Sequence, residues 1–278
     1  MQSVVVTGSS TGIGEGCALR LDKMGWRVFA GVRRREDGEA LKQKASERLV
    51  PVILDVTDSE SIAAATRYVA EVVGEEGLDG LVNNAGIAVA GPLEFLPVDE
   101  LRRQLDVNVV GQIAVTQAFL PLLRKARGRI VNIGSVSSRI SVPLLGPYSA
   151  SKFAMDALTT ALRMELQPWG IHVAIVDPSG IATPIWRKSM AAGERLAERF
   201  PPEVFELYGP IIEVQRKRAV ESDRTGLPRS AVTRPVAHAL TSPRPRTRYP
   251  VGSTARIVAI LRLLPDRLRE RLLMSQMK

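Results

Sequence analysis

Ser3-Val-Val-Val-Thr-Gly-Ser-Ser-Thr-Gly-Ile-Gly14 is a short β-branched run that passes without a break into a glycine-rich turn. Helical periodicity follows from Ile13 to Met24. Glycine lets a backbone come close to a bound group, and the start of a helix offers free amides and positive potential to a phosphate. The spacing Gly8-x3-Gly12-x-Gly14 differs from the commoner G-x-G-x-x-G, but a strand-turn-helix with these glycines is the form a dinucleotide pyrophosphate site takes. Gly8, Ser10, Thr11, Gly12, Ile13 and Gly14 are therefore candidate cofactor contacts. A purely structural tight turn is the competing reading.

Outward from this stretch, strand-like runs recur at Arg27–Gly31, Val50–Asp55, Gly80–Asn83, Arg129–Ser135, His172–Asp177 and Thr247–Val251. Helical patterns lie between them at Ser59–Val73, Val98–Arg124, Tyr148–Gln167 and Ser230–Thr241. Strands alternating with helices imply right-handed crossovers and a parallel sheet covered on both faces. Several strands read as unbroken apolar runs, as doubly buried parallel strands do. The expectation is an α/β fold: a doubly wound, seven-stranded parallel sheet of the Rossmann type, one domain over residues 1–252. Residues 184–229 interrupt the alternation with Trp186, Met190, Phe200, Phe205 and Tyr208 among many charges. Their place after the sixth strand suits a substrate lid; a surface helical pair is the alternative. Residues 253–278 form a basic amphipathic extension that Pro265 should divide into two short helices.

The second strand ends in Gly31-Val-Arg-Arg-Arg35. A carboxylate at this turn would hold a free ribose 2′-hydroxyl, whereas arginine accommodates a 2′-phosphate. Arg33 and Arg34 thus favour NADP, with NAD possible, unless Glu36 and Asp37 simply pair with them. At the third strand's end, Asp55 either meets an adenine amino group or caps the next helix; Val56 follows it. Asn83-Asn-Ala-Gly86 ends the fourth strand, where Asn83, Ala85 and Gly86 serve as cofactor wall, structural support or both. Tyr148 and Lys152 stand four residues apart on one helix, so they share a face. A free phenol titrates near 10, and a neighbouring ammonium favours the phenolate and lowers that value. This spacing makes Tyr148 a candidate proton donor and acceptor, although Tyr and Lys meet this way on many solvated helices.

Thr7–Gly14, Asn83–Gly86, Asn108-Val-Val-Gly111, Ser135, Tyr148-Ser-Ala-Ser-Lys152 and Asp177-Pro-Ser-Gly-Ile-Ala-Thr183 together resemble the short-chain dehydrogenase/reductase family. They stand in that family's order and spacing, from residue 3 to about 185, with weaker agreement to about 252. The stretch Val28-Phe-Ala-Gly-Val32, followed by an Asp-Gly turn, resembles the retinol and hydroxysteroid dehydrogenase branch. The resemblance implies an NAD(P)-dependent oxidoreductase acting on CH-OH groups. It makes Tyr148 the acid/base and Lys152 the lysine that lowers its pKa and holds the nicotinamide ribose. It makes Ser135 the residue that orients the substrate oxygen, and Asn108 the one that fixes a water in a proton relay. Pro178, Gly180, Ile181 and Thr183 would form the nicotinamide-side loop, with Thr183 on the carboxamide. Ser179 stands where the family usually has glycine. If the backbone needs φ > 0 there, serine is strained.

Leu144, Leu145, Trp186, Met190 and Phe200 are candidate substrate contacts, with Leu145 and Trp186 foremost. With few charge clamps among them, they fit a hydrophobic ketone or alcohol, steroid-, retinoid- or lipid-like, better than a small polar ketone or sugar. The single cysteine, Cys17, excludes an internal disulfide or a cysteine metal site. His172 and His238 lack metal-ligand company, so no metal is expected. The early strand leaves no room for a signal peptide, and no apolar run approaches the roughly 18 residues of a membrane span; a cytoplasmic protein is expected. The net charge of +9 is concentrated from Val214 onward, which carries +11 against −2 for the rest. No stacking aromatics are interleaved with those arginines and no recognition motif is present, so nucleic acid is not the expected partner. In the extension, Ile257, Ile260, Leu261, Leu264, Leu268 and Leu272 recur at helical spacing among Arg256, Arg262, Arg267, Arg269 and Arg271. Such a stretch lies on an anionic membrane, packs on its own domain or meets another subunit. A homodimer or homotetramer is what the family implies. A dinucleotide-binding sensor without turnover is the rival from another functional class.

Overall fold

The structure, a computed structural model, describes residues 1–275, with the side chains of Arg256 and Ala259 outside the description. The part of the extension from 276 to 278 therefore lies outside the described residues. In chain order the elements are β1 (Ser3–Val6), α1 (Gly12–Lys23), β2 (Arg27–Val32), α2 (Arg35–Lys42), β3 (Leu49–Ile53) and α3 (Ser59–Val73). Next come β4 (Gly80–Asn83), α4 (Val98–Leu105), α5 (Gly111–Ala126), β5 (Arg129–Ile133), α6 (Gly146–Leu166) and β6 (His172–Pro178). Then follow α7 (Ile185–Ala197), α8 (Glu203–Thr225), α9 (Ser230–Thr241), β7 (Arg248–Val251), α10 (Ser253–Leu261) and α11 (Asp266–Ser275).

All seven strands are parallel, in the order β3-β2-β1-β4-β5-β6-β7. The expected doubly wound Rossmann-type sheet is present. Alternate side chains of β1 show why both faces are covered. Val4 and Val6 pack with Ala18 and Leu21 of α1 and Val236 of α9. Val5 points the other way, into a cluster with Ala65 of α3 and Val115 and Phe119 of α5. The chain reverses direction across the sheet between β1 and β4, and ligands of open α/β sheets lie at the strand ends beside such a switch.

Three local readings are corrected. The Asp37-Gly38 pair is not a turn but lies inside α2. A Cβ at Gly38 would come 2.7 Å from Cβ of Pro51, so the glycine is there for close helix–strand packing. The run Val98–Arg124 is not one regular helix. A π turn at Asp106–Val110 separates α4 from α5, where the chain passes so close to Val56 that a Cβ at Gly111 would meet its carbonyl oxygen at 2.5 Å. By length and composition, Val98–Ala126 is apolar enough to cross a membrane, contrary to the expectation that no run approaches this. Here it packs against β4 and α3, and its buried Gln104, Asn108, Gln112 and Thr116 are hydrogen-bonded within the domain.

The insertion after β6 folds as α7 and α8. It is tied to the loop after β4 by Ser189 Oγ donating to Ala88 O at 2.6 Å, and to the loop after β5 by Gln215 Nε2 donating to Pro143 O at 2.9 Å. A parallel bridge between Ile181 and Leu227 holds the insertion's two ends together.

Candidate active site

The nucleotide end is built by the turn after β1. Gly8 and Gly12 have φ of 64° and 66°, a region open to glycine at little cost. A Cβ at Gly14 would fall 2.2 Å from Gly8 O, and one at Gly8 would fall 2.8 Å from Ala85 Cα. The turn can therefore close only with glycine at these positions. Thr7 Oγ1 accepts from the amides of Asn84 and Ala85, both at 2.9 Å, and Asn84 Nδ2 donates to Thr7 O at 2.9 Å and Gly8 O at 3.1 Å. These bonds lock the turn to the loop after β4. Thr11, the N-cap of α1, makes no side-chain cap bond, so the first amides of α1 are free to meet a phosphate. Thr183 packs beside Gly12, its Cβ 3.6 Å from where a side chain would begin. Gly86 sits against Asn108. The arrangement fits a dinucleotide pyrophosphate.

Beyond the turn, an open pocket is lined by Ser10, Thr11, Arg33, Asp55 and Lys188, together with the pair Arg34–Asp37. Arg34 grips Asp37 bidentately, Nε at 3.0 Å and Nη2 at 2.8 Å, which holds the Asp37 carboxyl below its ordinary range. Of the two arginines expected to face a 2′-phosphate, Arg34 is thus already engaged by a carboxylate. Asp55 does not cap α3; Asp58 does, accepting from the amides of Glu60 and Ser61. Asp55 accepts instead from Thr57 N at 3.0 Å and Thr57 Oγ1 at 2.8 Å, and stays on the pocket wall. Val56 and Ile13 turn their side chains to the core, which leaves only their backbone for a nucleotide. Asn83 is likewise spent on structure: its Nδ2 donates to Thr116 Oγ1 at 2.8 Å and Asn132 Oδ1 at 2.9 Å.

The reacting end sits at the tips of β5 and β6. Ser135 leaves β5 in extended backbone, its Oγ accepting from Ser137 N at 3.1 Å. Tyr148 and Lys152 lie in the first turns of α6, both buried. Burial pushes the Tyr148 phenol above its ordinary value, partly offset by a hydrogen bond with Ser135. The net direction is upward, opposite to the one expected from the neighbouring ammonium alone. The Lys152 ammonium lies 5.7 Å from the Tyr148 ring centroid and donates to Ile133 O at 2.8 Å. Its own value is pushed down to about 8 by burial, against the opposing pull of Asp177.

Asp177, near the end of β6, is buried and pushed up to about 6 by that burial, with Arg248 opposing. Arg248 of β7 binds both Asp177 and Asp156 of α6, and Arg139 stands 3.9 Å from Asp156. This charge cluster backs Lys152 and was not visible in any motif, because Arg248 is 71 residues from Asp177.

Asn108 sits on the π turn, but its side chain is committed elsewhere. Its Nδ2 donates to Ile87 O at 3.0 Å and Ser151 Oγ at 3.1 Å, and its Oδ1 accepts from Ile87 N at 2.9 Å. Ser151 Oγ in turn donates to Tyr148 O at 2.7 Å. The amide therefore braces the helix turn between Tyr148 and Lys152. Trp186 packs edge-on to Tyr148, centroids 5.7 Å apart at 66°. Leu145 precedes α6 beside Leu144, whose φ of 67° is unusual for leucine. Leu93, which the sequence reading passed over, faces Gly146 and is 65% exposed. In the nicotinamide-side loop the left-handed residue is Gly180 (φ 57°), not Ser179. Ser179 is unstrained, and its Oγ donates to Val251 O at 3.1 Å. The carbonyl of Gly180, next to Pro178 and Ser179, accepts from Leu227 N at 2.7 Å, and Ile181 is buried.

Outside the site, Cys17 is buried, its thiol pushed up to about 12, and His238 Nδ1 meets Tyr249 OH at 2.9 Å. Both side chains belong to the packing.

The family model described as short chain dehydrogenase matches residues 2–193. Retinol dehydrogenase 7 of Rattus norvegicus is 43% identical over 91% of this chain and 81% of its own length. The 17-beta-hydroxysteroid dehydrogenase type 6 of Bos taurus is 41% identical over 97% of this chain and 87% of its own length. The NADPH-dependent 3-dehydrocapnine reductase of Ornithobacterium rhinotracheale is 34% identical over 100% and 98%. Among solved structures, a short chain dehydrogenase from Burkholderia cenocepacia in complex with NADP superposes with a TM-score of 0.75, at 26% identity over 98% of this chain and 99% of that one. With the parallel sheet, the glycine turn and the Ser135–Tyr148–Lys152 cluster converging on one edge, this chain belongs to the short-chain dehydrogenase family, in its retinol and hydroxysteroid dehydrogenase branch, and is an NAD(P)-dependent oxidoreductase of alcohols and carbonyls.

Proposed function

We propose that the enzyme uses NADP(H) to interconvert a ketone or aldehyde with an alcohol on a hydrophobic substrate, with Tyr148 as the acid/base. The observation that carries this reading is the buried meeting of Tyr148 with Ser135, backed by Lys152. A nicotinamide cofactor supplies or accepts the hydride; the protein supplies orientation and the proton. Ser135 holds the substrate oxygen in hydrogen-bond reach of Tyr148. The phenol, kept above its ordinary value by burial, is protonated at neutral pH and gives its proton to the oxygen as negative charge develops there. The ammonium of Lys152 stabilises the phenolate left behind, which is the form that takes the proton back in oxidation. Asn108 acts as a positioning residue through Ser151.

Three things support a hydrophobic substrate. Trp186 lies against Tyr148, Leu144 and Leu145 flank the start of α6, and two relatives carry retinol and hydroxysteroid names. In this reading α7 and α8 form the lid over the site. NADP is favoured by Arg33 on the pocket wall and by the relative named NADPH-dependent. The test is turnover at 340 nm with retinoid, steroid, aliphatic and sugar carbonyls and alcohols, each with both cofactors. Tight cofactor binding with no turnover across the panel would instead support the sensor.

The C-terminal helices carry a second reading. Ile257, Ile260, Leu263, Leu268, Leu272 and Met274 of the α10–α11 segment are exposed, Ile260 at 67% and Leu263 at 75%. Arg262, Arg267 and Arg271 are exposed beside them. An apolar face bordered by cations fits the surface of an anionic bilayer, which would bring a cytoplasmic enzyme to a lipid-borne substrate. Co-flotation with vesicles containing phosphatidylserine, lost on truncation after residue 252, is the expected result. Dimer dissociation on truncation, without vesicle binding, would assign the face to a second copy.

A further inference from the structure

Lys188 belongs to α7, yet its Nζ donates to Thr11 Oγ1 at 3.1 Å, 177 residues away in the chain. It thereby joins Arg33 on the wall of the nucleotide pocket. Its charge also reaches Asp37, whose carboxyl is lowered first by Arg34 and further by Lys188 and Arg33. The pocket's charges pair off unevenly. Arg34 is held by Asp37, and Asp55 accepts from Thr57. Arg33 and Lys188 are left as the cations with no carboxylate within salt-bridge distance among the described residues. One comes from the turn after β2 and the other from the insertion, and both line the same pocket as Thr11.

We propose that Lys188 is a specificity-determining residue for the cofactor's adenosine end. It binds a 2′-phosphate jointly with Arg33 and thereby draws α7 closed over the site. The proposal rests on the NADP reading above. A phosphate of about two negative charges matches two convergent cations, and a cation carried by the insertion makes its closure depend on which cofactor is bound. The same helix carries Trp186, two residues before Lys188, against Tyr148. One short segment thus touches both the nucleotide pocket and the proton donor.

The experiment compares full-length wild type with Lys188→Ala and Lys188→Arg, titrating NADPH and NADH by fluorescence. For an exposed, charge-assisted contact, NADPH binding should weaken about tenfold in Lys188→Ala, NADH binding should change less than about twofold, and Lys188→Arg should keep most of the NADPH affinity. Competition by 2′,5′-ADP should weaken in parallel, and competition by 5′-AMP should not. NADPH should also slow amide exchange across Ile185–Ala197 in wild type and lose that effect in Lys188→Ala. An equal loss for both cofactors would place Lys188 on the pyrophosphate and overturn the assignment. If wild type prefers NADPH and Lys188→Ala keeps the full preference, the proposal fails and the NADP reading stands. If wild type shows no preference, both fall.

Discussion

Lys152 and Tyr148 share one face of α6, yet the ammonium donates a hydrogen bond to Ile133 O and lies 5.7 Å from the phenol ring centroid. The lysine thus acts on the tyrosine through the space between them rather than through a direct bond. Lys152 is itself half-way to neutrality near pH 8.

Tyr148→Phe removes the transferable proton and keeps the ring against Trp186. Loss of a positioned general acid costs on the order of 10²- to 10⁴-fold in rate. Turnover should fall in that range while cofactor affinity, read by fluorescence titration, stays within about twofold, because the removed group serves the proton. Activity within about threefold of wild type would rule Tyr148 out as the acid/base.

Asp177→Asn tests the cluster behind Lys152. The Asp177 carboxylate raises the lysine's value, so its neutral replacement should let the ammonium deprotonate at lower pH. In kcat/KM profiles, the limb that falls as pH rises through about 8 should move acidward. The two proteins should differ least below about pH 6, where Asp177 itself is protonated. Arg248 loses a charged partner in this variant, so a thermal melt must accompany the profile. An unmoved limb in a folded variant would sever Asp177 from the proton chemistry.

The two arginines after β2 should not behave alike. Arg34 is already gripped by Asp37, whereas Arg33 has no such partner among the described residues. Arg33→Ala should therefore weaken NADPH more than NADH by about three- to tenfold, the value of one exposed charge contact. Arg34→Ala should move the ratio less. Equal effects on both cofactors from Arg33→Ala would remove the 2′-phosphate from this turn.

Gly14→Ala probes the closed turn. Its added Cβ would sit 2.2 Å from Gly8 O and 2.4 Å from Asn84 Nδ2, and neither the Gly8 backbone nor an amide bonded to Thr7 O and Gly8 O can yield cheaply. Overpacking of this kind costs about 1–3 kcal/mol, to be read as a lowered urea midpoint with an unchanged slope. Cofactor affinity should fall with it, since Gly8 cannot move without shifting Ala85. Full stability and affinity would mean that the turn has room for a side chain at position 14.

Much of this was legible in the sequence, for a physical reason. Each parallel strand is buried on both faces and so reads as an apolar run, and the pyrophosphate turn is local. Glycine misled once: Gly38 looks like a turn residue, but it is required by Pro51 across the helix–strand contact. The π turn at Asn108 follows from packing on Val56, which no helical periodicity records. Lys188 and Arg248 escaped because their partners are distant in the chain. The direction of the Tyr148 shift was not legible, because spacing reveals a neighbouring charge but not the burial that sets the net direction.

Asn83 and Asn132 stand opposite each other in the β4–β5 register, and Asn132 Nδ2 continues the chain of bonds to Thr159 Oγ1 at 2.8 Å. A polar thread thus runs from α5 through the sheet's centre to α6. Losing either asparagine alone would strand buried amide groups, whereas exchanging both for apolar residues of similar shape would leave little unpaired. A substitution at one of the two positions is therefore best tolerated together with its partner's, which makes these buried amides a coupled pair in the middle of a sheet packed mainly by aliphatic side chains.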